Sequence, residues 1–511
     1  MNIIGLCQGR NSKIFYDFYN KISINYNIDK KGVLIADSFY YINDFKSKFD
    51  QENFITLKEW EVFKESLDNF VSEDSINKWS NFFADDFSLW QAVLADRRVI
   101  YGEFCKVKDD FVSRYTHEEI ISLVCYSLFK IEEFINEVKP NYLFGFAPVT
   151  LLEVLIIQYC QVKRIKILLL RSSKVDDRVV FYDNLYFLPT LITSKIHSTI
   201  PIQSEYLDHA KKYLEKIQNS IITNYEGAHD PKLYFRNPNI ISLLIGFISS
   251  LRNFIIKYKN INTRLDNHLP NPIFNFYYTY VFKYFRIKQL QKLYSIKTLK
   301  NISKNQNYAF FALHSEPEIA LQLNGRVFTS QLDLIKNIAL SLPINYKLLI
   351  KEHPRSYGLR NISFYKDLIA IPNVELVNFN FSVSELIKCS KIVFTISGNT
   401  GFEALIRKKP VIVFGYHDLS LFPESMVKTV HNMYELPKNI NCLLYEYKFD
   451  KFFALKFLAL IYKYSTSVNL YSSLLAKPGR IKFRELSYDN QIENIVKLFK
   501  IYNNELSDNR N

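Results

Sequence analysis

At 511 residues, 48% hydrophobic and 23% charged, the chain is too long for one ordinary core and too apolar to be disordered, so two or three domains are expected. Its six cysteines (Cys7, Cys105, Cys125, Cys160, Cys389 and Cys442) stand far apart with no CxxC pair, which argues against a disulfide framework or a zinc ribbon and for a reducing compartment. The net charge of +14 is concentrated: Pro231 to Lys300 holds twelve Lys or Arg against the single acid Asp266.

The chain opens MNIIGLCQGR, strand-like from Asn2 to Leu6, without a charged segment ahead of an apolar one, so a cytoplasmic protein is expected. Gly32–Ala36 reads as a second strand delivering Asp37 and Ser38 at its end. Leu57–Phe70 and His117–Val138 have helical spacing. Tyr142–Phe146 is a buried-strand run, followed by a helix from Val149 to Val162 and a strand at Lys166–Leu170 ending in Arg171-Ser172-Ser173. This alternation is Rossmann-like, although Gly5 and Gly9 do not make a GxGxxG. Asp37, Asp96 with Arg97, and Arg171 with Arg178 are its notable polar groups.

Ser204–Asn219 reads as an amphipathic helix, and the basic region follows. Its apolar run Ile240–Leu251 is well short of the ~20 residues that span a bilayer. It is followed by a second aromatic and basic run from Phe274. Two readings stand side by side. Arg252, Lys257, Lys259, Lys283 and Arg286 face an anionic membrane, or the region is a helical connector with a solvated basic face. A nucleic-acid role lacks any RRM, KH or zinc-finger pattern.

From Tyr308 the alternation resumes. A strand ends in His314-Ser315-Glu316-Pro317-Glu318, a helix spans Thr329–Leu340, and the strand Tyr346–Ile350 ends in Lys351-Glu352-His353-Pro354. A short strand at Val374–Leu376 and a helix at Ser384–Cys389 lead to the strand Lys391–Ile396, which ends in Ser397-Gly398-Asn399-Thr400-Gly401. Beyond Ile440 the chain reads as helical, with a disordered tail at Asn504–Asn511. Domains are expected at 1–200, 201–305, 306–440 and 441–511.

Ligands of open α/β sheets bind beyond the carboxyl ends of the strands, and three polar clusters fall there. Gly398 and Gly401 permit a tight turn and close backbone approach, and Thr400 with Glu403 has the spacing of a capping box. The exposed N–H groups of that helix start favour a phosphate, with Glu403 placed for ribose hydroxyls. His353, held extended by Pro354, sits at a strand end with Lys351 two residues back and Arg355 after it. His314, Glu316 and Glu318 could orient a sugar or move a proton. HxExE lacks zinc spacing, so no metal is expected.

At LHSEPE (Leu313–Glu318), KEHP (Lys351–Pro354) and SGNTGFEAL…KKPVIVFG (Ser397–Gly415), with a weaker echo in ADRR (Ala95–Arg98), the sequence resembles bacterial capsule and surface-polysaccharide biosynthesis proteins. These include retaining β-Kdo transferases. The resemblance implies a GT-B-like α/β fold: two Rossmann-like domains facing a cleft, with the basic helical insert between them. It implies a glycosyltransferase moving a sugar from a nucleotide donor, such as CMP-Kdo, to a lipid-linked or growing polysaccharide acceptor. His353 and Pro354 would then meet the cytidine phosphate, Ser397 to Gly401 would cradle it, and Glu403 would bind the nucleotide. The donor is a substrate, and no bound cofactor is expected. Glu318, His314 and Asp37 are the candidate catalytic groups. The alternatives are a CDP-alcohol polyol-phosphate transferase of teichoic-acid type and a non-catalytic partner of a polysaccharide assembly or export complex.

Overall fold

A computed structural model describes residues 1–508 apart from 39–40, 70, 84–86, 97–98, 100–112, 114, 199–200, 221–224, 230–239, 260–272, 274–275, 295–305, 317 and 326. Arg97 and Pro317 lie outside the described residues. So do the side chains of Lys257 and Lys259.

Two sheets organise the chain. The first takes β1 (Ile3–Cys7), β2 (Lys31–Ile35), β3 (Ile55–Lys58), β4 (Tyr142–Gly145), β5 (Lys166–Ser172) and β6 (Arg178–Tyr182). The second takes β7 (Asn307–Ala312), β8 (Tyr346–Lys351), β9 (Val374–Leu376), β10 (Ile392–Thr395), β11 (Val411–Val413) and β12 (Val427–Thr429), and a last short strand, β13 (Thr466–Ser467), returns to the first. The strand orders are β3-β2-β1-β4-β5-β6-β13 and β9-β8-β7-β10-β11-β12. In the second sheet the described pairings are parallel, which is why its strands are short, continuous apolar runs covered on both faces. Chain order reverses between β1 and β4 in one sheet and between β7 and β10 in the other. Each reversal opens a crevice at the carboxyl ends of the strands. The fold is therefore α/β with two Rossmann-like domains in a GT-B-like arrangement, as expected.

Helix His117–Val138 spans the residues expected, because its ends are written locally. Thr116 and Glu119 form a reciprocal capping box, and Lys139 closes the helix in the left-handed region (φ 50). The expected helix at Leu57–Phe70 begins later. Ile55–Lys58 is taken as strand β3 because it can pair with β2, and the helix runs from Glu59 to Asp68.

The C-terminal segment is where expectation and fold differ most. Residues 441–445 finish a helix of the second domain, and residues 451–508 do not stand apart: they complete the first domain. β13 pairs antiparallel with β6, and Arg178 donates to the Ser465 hydroxyl and the Tyr462 carbonyl at 2.7 and 2.8 Å. Helix Tyr488–Asp508 lies over helix Asn11–Ser23, setting Phe499 against Phe18 (ring centroids 5.7 Å apart) and Tyr502 against Phe181 (5.5 Å). The tail expected to be disordered is thus helical through Asp508.

The basic region forms helices Ile240–Lys259 and Lys283–Leu293, the latter docked on the second domain. Of the five basic residues expected at a membrane, two are used here. Arg286 binds the Leu359 carbonyl and the Asn361 side chain, and the Lys283 side chain packs against Gly358. For this pair the connector reading is the one realised. Long cationic side chains cover apolar surface well and so serve as packing.

Candidate functional site

The loops after β7 and β8 are held by one buried ionic assembly. Arg360, 2% exposed, binds Glu352 (Nε–Oε2 2.9 Å), Glu316 and the His314 carbonyl. Glu352, 1% exposed, also accepts from the Tyr365 hydroxyl and the His353 backbone N–H, both at 2.6 Å. Gln331 accepts the His314 N–H at 2.7 Å and donates to the His314 carbonyl and to Glu316. Burial pushes the Glu352 carboxyl up, while the guanidinium of Arg360 pulls it down. A buried charge set of this kind survives only when its members are paired. The return is a fixed position for His314 and His353.

His314 Nε2 accepts the Ser397 N–H at 3.2 Å, tying the end of β7 to the loop after β10 across the topological switch point. A neutral ring that accepts at Nε2 carries its proton on Nδ1. That atom is buried and has no hydrogen-bond partner among the described residues. His353 Nδ1 accepts the Arg355 N–H at 3.2 Å, which leaves Nε2 as its ring donor. His417, after β11, accepts the Leu419 N–H at Nδ1 and places Nε2 3.1 Å from the Gly398 carbonyl. Burial, reinforced by nearby Arg360, lowers His314 to about 4, and burial holds His353 and His417 well below the usual imidazole range. All three rings are neutral hydrogen-bond donors at neutral pH.

Helix Asn399–Ile406 starts at Gly398 without a side-chain cap. The expected Thr400–Glu403 capping box is absent from this cap. Glu403 instead pairs with Arg407 (3.2 Å) and Ser384, one turn along and one helix away, where a partly buried carboxylate gains a cation. The helix start is therefore unoccupied by its own side chains, which suits an anion. The glycines serve packing. A Cβ on Gly401 would stand 2.6 Å from Thr395 Cγ2 and 2.9 Å from Leu419 Cδ1, and one on Gly398 3.0 Å from His314 Nε2. Gly401→Ala is expected to destabilise the protein by about 1–3 kcal/mol in urea unfolding, because both contacts are with packed side chains.

The first domain meets this edge. Asp418 accepts from the Leu188 N–H (2.6 Å) and the Tyr182 hydroxyl (3.1 Å), with Lys174 Nζ at 3.7 Å. Asn399 donates to the Tyr225 hydroxyl at 3.0 Å, and the rings of His229 and His353 meet edge to face at 4.8 Å. Beside Asn399 the two domains leave a small cavity of about 20 Å³, lined by Lys174, Tyr213, Tyr225, Phe402 and Glu403. Glu226 is buried, its carboxyl pushed up by desolvation. One oxygen binds the Ser472 N–H at 2.7 Å and the other has no partner among the described residues.

The structure brings together His314, His353, Pro354, Arg355, Ser397, Gly398, Asn399, Thr400 and Gly401 along one edge. Other expected site residues have different surroundings. Lys351 is buried, lowered to about 8 by desolvation, and donates to the Phe379 carbonyl at 2.6 Å over the Phe379 ring, so it is a packing cation. Glu318 faces Arg355 at 3.5 Å, and Asp37 is buried in the first domain at the carboxyl end of β2. His314, expected as a catalytic group, positions the loop instead, since its Nε2 is committed to Ser397. Asp96 accepts the Leu151 N–H at 2.8 Å and Arg171 donates to the Leu185 carbonyl at 2.9 Å, both structural. Arg360, Gln331, His229 and Glu226 escaped the sequence reading because they lie in loops or helices remote from the strand ends. His417-Asp418 was recoverable by the same logic as the other clusters, since it follows β11.

The β7, β8 and β10 strand ends, with their loops converging on one edge, lie within a single stretch that is similar to a known family. Residues 248–420 match the family described as capsule polysaccharide biosynthesis protein. The match covers about a third of the chain and contains all three motifs. No curated protein sequence matches. Among solved structures, the KpsC beta Kdo 2,4 transferase of Thermosulfurimonas dismutans is similar at 14% identity and TM-score 0.37, covering 69% of this chain and 86% of that one. The beta Kdo 2,7 transferase from the same organism gives 14% and 0.31, covering 81% and 97%. The UDP-GlcNAc 2-epimerase of Neisseria meningitidis gives 12% and 0.28, covering 91% and 98%.

Proposed function

We propose that the protein is a capsule-polysaccharide glycosyltransferase that takes a sugar from a CMP-sugar and passes it to a lipid-linked or growing saccharide at the inner face of the cytoplasmic membrane. One observation carries this reading: two neutral imidazoles and an uncapped helix start converge at the switch point of the second sheet, inside the stretch that matches the capsule family. Departure of a nucleotide builds negative charge on its phosphate. Fixed N–H donors aimed at that charge need no reorganisation as it develops. In this reading the phosphate lies against the start of helix Asn399–Ile406, with His353 Nε2–H as a donor, Arg355 at the mouth, and His314 holding the Ser397 loop in place. Glu226 and Glu318, one from each domain, are the carboxyls available for proton or glycosyl handling. Burial raises the Glu226 carboxyl above the usual carboxylate range.

The test is a thermal-shift titration with CMP, CDP, UDP and GDP. CMP is expected to raise the midpoint selectively, and His353→Ala, folded by circular dichroism, is expected to weaken that response by about tenfold in apparent affinity, the worth of one charge-assisted hydrogen bond. Equal responses to all four nucleotides would reject the CMP-sugar donor. A selective response to CDP, with transfer from a CDP-alcohol, would identify the polyol-phosphate reaction instead.

A further inference from the structure

Helix Ile240–Lys259 has two faces of opposite character. Leu243, Gly246, Ser250 and Phe254, spaced 3, 4 and 4 apart, form a half-buried stripe. Gly246 sits against Phe276 and Tyr280, where a Cβ would come to 3.3 Å from the Phe276 ring. Phe247 adds an edge contact to Phe276 at 5.6 Å. The missing side chain of Gly246 allows the close approach.

The opposite stripe is apolar and bare. Ile241 is 67% exposed, Leu244 58%, Ile245 64%, Ile248 66% and Ile255 50%, with Leu251 at 37%. At about 100° per residue these six fall within about a third of the helix circumference, and exposed Arg252 lies among them. Phe285 and Tyr277 of the following helical segment are also exposed, at 60% and 52%. Contiguous aliphatic exposure of this kind needs an occupant. Charge says which. In the sequence, residues 231–300 carry twelve cations and one acid, and among the described side chains Arg252, Lys288 and Lys292 are exposed, complementary to an anionic surface. None of the described helices is long and apolar enough to cross a membrane.

We infer that this stripe is the face by which the protein lies in the headgroup layer of an anionic bilayer, its aliphatic side chains reaching the acyl boundary and Arg252 reaching lipid phosphates. The inference rests on the proposed function only for its purpose, which is to hold the enzyme beside a lipid-linked acceptor. The membrane contact expected from the sequence is thus kept for the apolar run and Arg252 and withdrawn for Lys283 and Arg286.

The experiment is vesicle flotation of the full chain with phosphatidylcholine alone and with a phosphatidylcholine–phosphatidylglycerol mixture. The wild type is expected to float with the mixture and remain behind with phosphatidylcholine. Leu244→Glu/Ile248→Glu is expected to lose at least about tenfold in binding, since two exposed side chains that insert at the acyl boundary are given up. Ile344→Glu, an exposed apolar position outside the stripe, is expected to bind like wild type. Thermal midpoint and the nucleotide response are read on every variant, so that failure of the donor site and failure of the stripe are separable. The inference is overturned if the double variant floats as well as wild type, or if wild type ignores anionic vesicles. It is also overturned if sedimentation shows a wild-type dimer that the double variant dissolves without any vesicle binding, which would make the stripe a self-interface.

Discussion

Replacing Arg360 by Met is expected to cost about 3–5 kcal/mol of stability, the range seen when one partner of a buried ion set is removed. The cause is what remains: Glu352 and Glu316 would share a buried site with no cation, and the His314 carbonyl would lose a donor. Arg360→Lys is expected to recover only part of this, since an ammonium cannot reproduce a planar fork that reaches three acceptors at once. Urea unfolding at neutral pH measures both. A loss below ~1 kcal/mol in Arg360→Met would mean that the assembly is not what holds the loops. The same substitution is expected to abolish the thermal response to CMP, because His314 and His353 are both oriented through partners of Arg360.

The second large effect is acid lability. His229 is lowered to about 3 and His314 to about 4, with His353 and His417 well below the ordinary imidazole value. Burial is the leading cause for all four. The cations facing them add to it: Arg480 and Arg355 for His229 and His353, Arg360 for His314, and Lys174 for His417. A folded pKa depressed below its unfolded value means that the unfolded chain takes up protons first. Stability is then full above about pH 6.5 and falls as pH drops toward the folded values. For His314 alone the span from 6.5 to about 4 corresponds to a loss on the order of 3 kcal/mol. Urea midpoints measured from about pH 7.5 down to about pH 4.5 should fall steeply. His314→Gln should flatten part of that slope while lowering the neutral-pH midpoint. A flat profile in wild type would contradict the neutral-ring assignment.

Strands with continuous apolar runs, such as Lys166–Leu170 and Lys391–Ile396, were legible in the sequence. Two-sided burial in a parallel sheet leaves no other use for such runs. Helix His117–Val138 was legible because its caps are local. β6 and β13 were not: each is short, and the strand with which β13 pairs lies nearly three hundred residues away. At the site, the strand-end clusters could be read and their internal division of labour could not. Lys351 and His353 share a parity along the chain, yet one side chain turns to Phe379 and the other toward His229. Arg360 carried no signal, since an arginine in a loop is ordinary until its burial is known. The stripe on helix Ile240–Lys259 was visible as an apolar run, but which face would be left bare depended on Phe276 and Tyr280.

The return of the C-terminal segment to the first sheet has a consequence for how the molecule is made. Phe18, Phe144 and Phe181 are synthesised before any strand of the second domain, and Phe499 and Tyr502, which cover Phe18 and Phe181, are synthesised after all of them. Until that segment emerges from the ribosome, the first domain lacks a strand at one edge and the lid over one face. The second domain, whose strands all lie between residues 307 and 429, can close before it. The order of maturation is thus the reverse of the order of synthesis. Translation that stopped between residues 468 and 487 would leave the second sheet complete, its Phe402 and Phe422 covered by Phe453 and Phe457, tethered to a first domain still open on one face.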